Sequence, residues 1–206
     1  RHGTSWGFEC LGDWQTPDLV DVAVYYDTIR RVSGTYAAAS DGAIYRFEDE
    51  AGFTEAAAAL GPVGLSSAAA FYYPGIVDIS TYYNPTAKAA VVYAVTEDGS
   101  LFKYDTSSGY ALQDNFGAPG IVTIATHFDL DYYRSTVYGA TDQGDLYRYT
   151  TSAGMEGLIG NFGASERIVD LTTYLTPASV SVVYALAANG EILRWDSAGG
   201  FEQIGS

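Results

Sequence analysis

The feature that most restricts the fold of this chain is an internal repeat of about 45 residues. Glycines recur at spacings of 57, 45 and 46 residues, each preceded by Asp, Gln or Asn within a stretch of alternating apolar and polar residues. Glycine readily adopts the positive φ of a tight hairpin turn, and alternation with a period of two is typical of β-strands. Four β-hairpins are therefore predicted, over residues 35–48, 92–105, 137–150 and 183–196.

Each predicted hairpin is flanked by two further predicted strands. The upstream strands are 19–27, 76–84, 121–129 and 168–176, and the downstream strands are 52–56, 109–113, 154–160 and 200–205. Four strands per repeat of this length are the sequence pattern of propeller blades. The sequence therefore predicts an all-β fold, a β-propeller with four four-stranded blades in one domain. The predicted blades are about 19–58, 76–113, 121–160 and 168–205, with an insertion at 56–73.

A surplus strand precedes the first repeat, at about residues 7–12, and it matches the last strand of the chain in sequence. Three alternatives are open for it: it closes the ring at a blade edge, belongs to a longer array, or pairs with the edge of another molecule. The single cysteine of the chain lies in this strand, so no internal disulfide forms. The residues expected to make an assembly contact there are Phe8, Cys10 and Leu11.

The repeat resembles a known group of propellers. Segments such as "IVDISTYY" (76–83) and "VYAVTEDG" (92–99) are similar to the bacterial-type β-propeller repeats of secreted and surface proteins. The pattern is also broadly similar to PQQ-like and tachylectin-type blades. The resemblance implies the fold, whereas the tryptophan pattern of PQQ-binding blades is matched only near Trp195, so no cofactor is carried over.

One aligned position of the first strands carries three carboxylates and a hydroxyl. Because the first strand of each blade lines the central channel, these side chains are expected to converge on the axis. In one hypothesis the three carboxylates bind a hard cation such as Ca²⁺ through oxygen ligands. In the other, which is the more ordinary outcome, they accept hydrogen bonds from backbone N–H groups around a water-filled channel. The residues are Asp21, Asp78, Thr123 and Asp170.

Two further groups of residues are candidates for ligand contacts. A cation recurs in the third strand, where pairing with nearby acids is the expected role: Arg46, Lys103, Arg148 and Arg194. A tyrosine-rich face could stack on sugar rings, since a phenol combines a flat apolar body with a polar tip. The candidate contacts on that face are Tyr26, Tyr83, Asp129, Asp131, Tyr132 and Tyr133.

Composition and missing motifs restrict the function. A formal charge of −15 argues against a nucleic-acid partner, and no apolar run is long enough to span a membrane. The sequence also contains no recognisable nucleophile–base pair and no Cys/His cluster with the spacing of zinc ligands. We therefore expect a non-enzymatic, extracellular or cell-surface propeller that acts as a structural or protein-interaction module. It would bind copies of itself, in part through its terminal strand, or other extracellular proteins. The alternative is a lectin-like propeller that binds glycans, and a propeller hydrolase is the weaker option.

Overall fold

The computed structural model describes residues 19–39, 44–48, 52–57, 75–105, 109–118 and 120–205. The predicted N-terminal strand with Phe8, Cys10 and Leu11 lies outside these residues, and so does the predicted insertion from residue 58 onward. The described part of the chain contains sixteen strands in four separate antiparallel sheets, each with its strands in sequence order. The predicted all-β propeller with four four-stranded blades is confirmed.

The four blades have closely similar strands. Blade 1 contains β1 (Leu19–Asp27), β2 (Val32–Ala39), β3 (Ile44–Glu48) and β4 (Gly52–Ala57). Blade 2 contains β5 (Ile76–Asn84), β6 (Ala89–Thr96), β7 (Ser100–Asp105) and β8 (Gly109–Asn115). Blade 3 contains β9 (Ile121–Asp129), β10 (Arg134–Thr141), β11 (Asp145–Thr150) and β12 (Gly154–Asn161). Blade 4 contains β13 (Ile168–Leu175), β14 (Ser181–Ala187), β15 (Ile192–Asp196) and β16 (Gly200–Gly205).

Repeated turn residues fix the connections within each blade. Gly99 and Gly144 have φ values of 80° and 87° in the predicted hairpin turns, a region that side-chain-bearing residues rarely adopt. The turn between the first and second strands begins with a residue whose side-chain oxygen accepts backbone N–H bonds. In blade 1, Asp27 Oδ1 accepts from Ile29 and Arg30 at 2.8 and 2.9 Å. The same slot holds Asn84, Asp129 and Thr176 in the later blades.

The hydrophobic core lies between the blades. Each blade has a front face, directed to the following blade, and a back face, directed to the preceding one. On the front faces of blades 1 to 3 a tyrosine of the second strand is fully buried, and it contacts an aromatic ring of the next blade. Burial of a large side chain of this kind contributes roughly 1.5–3 kcal/mol. The pairs are Tyr36–Tyr104, Tyr93–Tyr149 and Tyr138–Trp195, with ring centroids 6.3, 6.3 and 5.5 Å apart.

The ring of blades has one uncovered position. The first strands pack in sequence, β1 on β5, β5 on β9 and β9 on β13. Among the described strands, β13 makes no comparable packing with β1. Within the described strands, the back face of blade 1 and the front face of blade 4 therefore each lack the neighbouring blade that covers the corresponding face elsewhere. We call them the two end faces.

Candidate functional site

The aspartates of the first strands line a central channel, a cavity of about 300 Å³. Asp21 Oδ2 accepts a hydrogen bond from the Ile79 N–H at 3.0 Å, and Asp78 Oδ2 accepts one from the Ile124 N–H at 2.6 Å. Each bond runs from one blade to the next, as the second hypothesis for these positions expects. At least two of the predicted channel carboxylates therefore link neighbouring blades.

Two of the channel carboxyl groups, those of Asp78 and Asp170, have raised pKa values. Burial, together with the neighbouring Asp21, raises the pKa of Asp78 to about 8, although the Ile124 N–H and the Thr123 hydroxyl act in the opposite direction. Burial and the charge of Asp21 also raise the pKa of Asp170, despite a hydrogen bond from a backbone N–H. Asp78 thus carries a proton at neutral pH, which relieves the repulsion between it and Asp21. In the described part of the chain no three His, Cys, Asp or Glu residues form a metal-binding cluster, and the calcium hypothesis stays a prediction.

The second and third blade interfaces are closed by a polar contact at the end of the first strand. The hydroxyl of Tyr82 hydrogen-bonds to Ser135 of the next blade. One interface further, His127 Nε2 and Ser181 Oγ lie 3.4 Å apart. Burial lowers the pKa of His127 to about 4, while Asp129 opposes this shift, so the imidazole is neutral at physiological pH. At both interfaces a ring of one blade reaches a serine on the second strand of the next.

The first interface departs from this arrangement at two positions. Blade 2 has Ala90 in the slot of the two serines, so it offers no hydroxyl. On blade 1, Gly34 lies directly opposite Tyr25 in the sheet, and a Cβ at this glycine would collide with the phenol ring. The ring of Tyr25 therefore lies against its own sheet, 5.6 Å from the ring of Tyr36. These two substitutions within the repeat leave space between blades 1 and 2.

That space is a cavity of about 210 Å³, which we call the Arg46 pocket. Arg46 Nη2 donates to the Tyr25 hydroxyl at 3.3 Å, and its guanidinium carbon lies 6.0 Å from the ring centre of Tyr36. Ala90 provides part of the apolar wall. The polar lining consists of Tyr25, Asp27, Arg30, Arg46, Tyr83 and Lys88.

The electrostatics of the Arg46 pocket hold its polar groups in defined states. Burial alone would raise the pKa of Asp27, but hydrogen bonds from the Arg30 and Ile29 N–H groups and from Tyr83 keep it below its usual value. Desolvation and the hydrogen bond to Asp27 raise the pKa of Tyr83. The pocket thus combines an ionised carboxylate, a protonated phenol and cationic donors around aromatic rings. Such a set can both donate to and accept from hydroxyl groups.

The structure does not bring the predicted tyrosine-rich face together at one place. Tyr83 lies in the Arg46 pocket, whereas Tyr26 is exposed on the back face of blade 1. Tyr132 and Tyr133 are exposed in the turn of blade 3 after β9, and the Arg134 guanidinium carbon lies 5.0 Å from the Tyr132 ring centre. These aromatic residues belong to three separate surfaces.

The two aspartates predicted beside those tyrosines have local partners. Asp129 is buried and accepts the N–H groups of Asp131 and Tyr132 at 3.0 and 3.2 Å. Asp131 Oδ2 accepts a hydrogen bond from the Ser179 hydroxyl at 2.9 Å. Both side chains therefore organise turns of blades 3 and 4.

In blades 3 and 4 the recurrent cation of the third strand pairs with local acids, as expected. Arg194 contacts Asp196 Oδ2 at 2.7 Å and also pairs with Glu202. Arg148 pairs with Glu156 of the fourth strand. In blade 1 the equivalent Arg46 lines the pocket. Of the pocket residues, sequence reasoning named Arg46 and Tyr83 and missed Tyr25, Asp27, Arg30, Lys88, Ala89 and Ala90.

A usable sequence signal existed for Ala90. The second strands carry serine at the aligned positions Ser33, Ser135 and Ser181, so Ala90 is the departure from the repeat. A departure of this kind marks where one interface differs from its equivalents. Arg30 and Lys88 lie in turns of variable sequence, where the repeat offers no comparable signal.

No family model matches this chain, and no curated protein matches it. Among solved structures it is similar to the fucose-specific lectin from Aleuria aurantia, with a TM-score of 0.55 and 14% identity over 84% of this chain and 56% of that one. A variant of Aleuria aurantia lectin in complex with Fucα1-6GlcNAc gives a TM-score of 0.58 and 14% identity, over 89% and 60% of the two chains. A variant of AofleA from Arthrobotrys oligospora gives 0.56 and 13%, over 90% and 56%.

A propeller bound to a protein is also similar: BBS1N in complex with ARL6DN has a TM-score of 0.55 and 12% identity, over 90% of this chain and 55% of that one. The chain therefore spans little more than half the length of the structures it matches. Identities this low show a shared propeller fold. In the described residues there is also no helix with the length and apolar character needed to cross a membrane.

Proposed function

We propose that this chain is a non-enzymatic, lectin-like propeller that binds a small saccharide in the Arg46 pocket. The observation that carries the proposal is the pocket itself, where Arg46, Asp27 and Tyr83 converge beside the ring of Tyr25. Sugars present hydroxyl groups that donate and accept hydrogen bonds, together with apolar C–H faces that pack on phenol rings. The names of the similar fucose-binding lectins support this choice over the structural-module alternative.

The size of the pocket restricts the ligand. About 210 Å³ is below the roughly 300–1,000 Å³ of pockets for drug-sized molecules, so one sugar ring is the appropriate occupant. Guanidinium and ammonium donors from Arg46, Arg30 and Lys88 would bind hydroxyl oxygens, and Asp27 would accept a hydroxyl proton. An extracellular location agrees with this role, because that is where glycans are displayed to soluble binding proteins.

The experiment is a glycan array followed by calorimetry with the strongest binding sugar, with free L-fucose included in every case. We expect reproducible binding to one sugar class. Arg46→Ala should weaken that binding at least about tenfold, which corresponds to about 1.4 kcal/mol. Arg194→Ala is the matched control, because it removes the same repeat position outside the pocket and should leave the affinity unchanged.

Two results would count against the proposal: no sugar bound by the folded wild-type chain, or equal loss of affinity in Arg46→Ala and Arg194→Ala. A second candidate function is protein interaction, and the exposed end faces favour it independently.

A further inference from the structure

The front face of blade 4 exposes apolar side chains at positions that are buried in every preceding blade. Ile192 is 42% exposed and Leu186 is 40% exposed. Isolated exposed apolar residues are common. These two, however, occupy repeat positions that the next blade buries in blades 1, 2 and 3. The buried equivalents of Ile192 are Ile44, Leu101 and Leu146, and those of Leu186 are Ala38, Val95 and Ala140.

The back face of blade 1 shows the same departure. Val22 is 51% exposed, and Leu19, Val24 and Tyr26 are exposed on the same side of β1. In the other three blades the slot of Val22 is nearly fully buried against the preceding blade. Those equivalents are Ile79, Ile124 and Leu171.

The two end faces are of complementary types. Inside the molecule, surfaces equivalent to the front face of blade 4 pack on surfaces equivalent to the back face of blade 1. At all three internal interfaces a front face packs on a back face, in the three core clusters. The side chains exposed at the two ends are the apolar types that make those contacts. A front face therefore remains at one end and a back face at the other.

We propose that the front face of blade 4 packs on the back face of blade 1 in a second copy of this chain. The contact continues the internal blade interface from one molecule to the next. It is heterologous, with different surfaces on the two partners, so it joins copies head to tail. This inference concerns the end faces and does not depend on the Arg46 pocket.

The first measurement is the molar mass of the wild-type chain in solution by light scattering over a range of concentrations. We expect the mass to rise with concentration above that of one chain. Val22→Glu blocks the back face and Ile192→Glu blocks the front face, because a carboxylate in an apolar interface loses its hydration. Each variant alone should stay at the mass of one chain.

The decisive arm mixes the two variants. Val22→Glu retains an intact front face and Ile192→Glu an intact back face, so an equimolar mixture should form a complex of two chains and no larger species. Leu130→Glu, at an exposed position in a turn of blade 3, is the control and should associate as the wild type does. All variants are checked for β-sheet circular dichroism, and Val24→Glu with Leu186→Glu is the replacement pair if one of the first pair does not fold.

Three results would each overturn the proposal. The first is a wild-type chain that keeps the mass of one chain at all concentrations, as expected if the two end faces cover each other within one ring. The second is a single-face variant that associates as well as the wild type. The third is a mixture of the two variants that forms no two-chain complex.

Discussion

The first blade interface and the second one are built from the same repeat positions but end in different structures. At the second, Tyr82 crosses to Ser135 and stacks on Phe128 with ring centroids 5.4 Å apart. At the first, Tyr25 turns back onto its own sheet because Gly34 lies beneath it and Ala90 offers no hydroxyl. A pocket between propeller blades can thus arise from two small residues, without a change in strand length or register.

The comparison also shows that the two interfaces share their aromatic core and differ in their polar contacts. The row of contacting rings and the buried tyrosine are retained at the first interface, where Tyr36 contacts Tyr25 on one side and Tyr104 on the other. The polar contacts differ: Tyr82 bonds to Ser135 at the second interface, whereas Tyr25 accepts from Arg46 at the first. Apart from Tyr25 and Ala90, which belong to both, the core and the pocket lining consist of different residues, so single substitutions can test stability and the proposed sugar binding separately.

The largest expected effect is on the buried tyrosines. Tyr36→Ala and Tyr138→Ala should each lower the free energy of unfolding by about 3–5 kcal/mol, because a large ring is removed from a packed core. Tyr184→Ala, the equivalent on the uncovered front face of blade 4, should cost less than about 1 kcal/mol in dilute solution. Chemical denaturation measures all three. A small loss in Tyr36→Ala would mean that the first interface is not packed like the third.

The second effect is a pH dependence from the channel. Asp78 has an unfolded pKa of about 3.9 and a folded value of about 8, so between these values the folded chain holds a proton that the unfolded chain releases. The free energy of unfolding should therefore decrease as pH rises towards 8. His127 acts in the opposite direction below about pH 6.5, where the unfolded chain gains the proton. The clearest window is pH 6.5 to 8.

Asp78→Asn should remove the decrease in that window, because the amide keeps a donor for Asp21 and an acceptor for the Ile124 N–H without ionising. Asp142→Asn, a change in the turn after β10, is the matched control and should retain it. Denaturation curves at half-unit pH intervals would decide between them. If both variants keep the wild-type slope, Asp78 is not the titrating group.

A moderate effect is expected from restoring the repeat at the first interface. Ala90→Ser supplies the hydroxyl that Ser135 supplies at the second, and the pocket should then be narrowed by a polar contact with Tyr25. Saccharide affinity should fall at least about tenfold, while the unfolding free energy changes by about 1 kcal/mol or less. Calorimetry on a folded variant tests this. Unchanged affinity would show that this wall of the pocket does not contact the sugar.

The smallest effect is expected from the reverse change at the second interface. Ser135→Ala leaves the Tyr82 hydroxyl without this partner and should cost about 1 kcal/mol of stability. Sugar binding should be unaffected, since the residue lies outside the Arg46 pocket. A large loss of sugar affinity in Ser135→Ala would indicate that the sugar binds at the second interface and not in the Arg46 pocket.

The blades could be predicted from the sequence because their signals are local. Alternation along each strand and the turn glycines such as Gly99 lie within a few residues of the structure they specify. The bonding of Asp21 and Asp78 to the next blade was one of two hypotheses, since aligned inner strands must face a common axis. Repeat alignment therefore predicted the strands and turns, and for the channel aspartates it predicted a shared position and left two roles open.

The pocket and the end faces could not be predicted in the same way. The direction of the Tyr25 ring depends on contact with Gly34 across the sheet, which no pattern along one strand reports. Val22 and Ile79 are similar residues in the same slot, yet Val22 is exposed and Ile79 is buried, and among the described blades only Ile79 has a neighbour on that side. The exposure of these residues depends on which blade faces contact each other, and the repeat pattern of the sequence does not specify those contacts.

The central claim is most directly tested by counting sugar sites. Titration of the wild-type chain by calorimetry with the strongest array ligand should give one site per chain, since the Arg46 pocket lies at the first interface and a ring–serine contact lies at the equivalent position of the second and third. The same titration of Arg46→Ala should give no measurable site at those concentrations. Several equal sites per chain, or one site that persists in Arg46→Ala, would contradict the account.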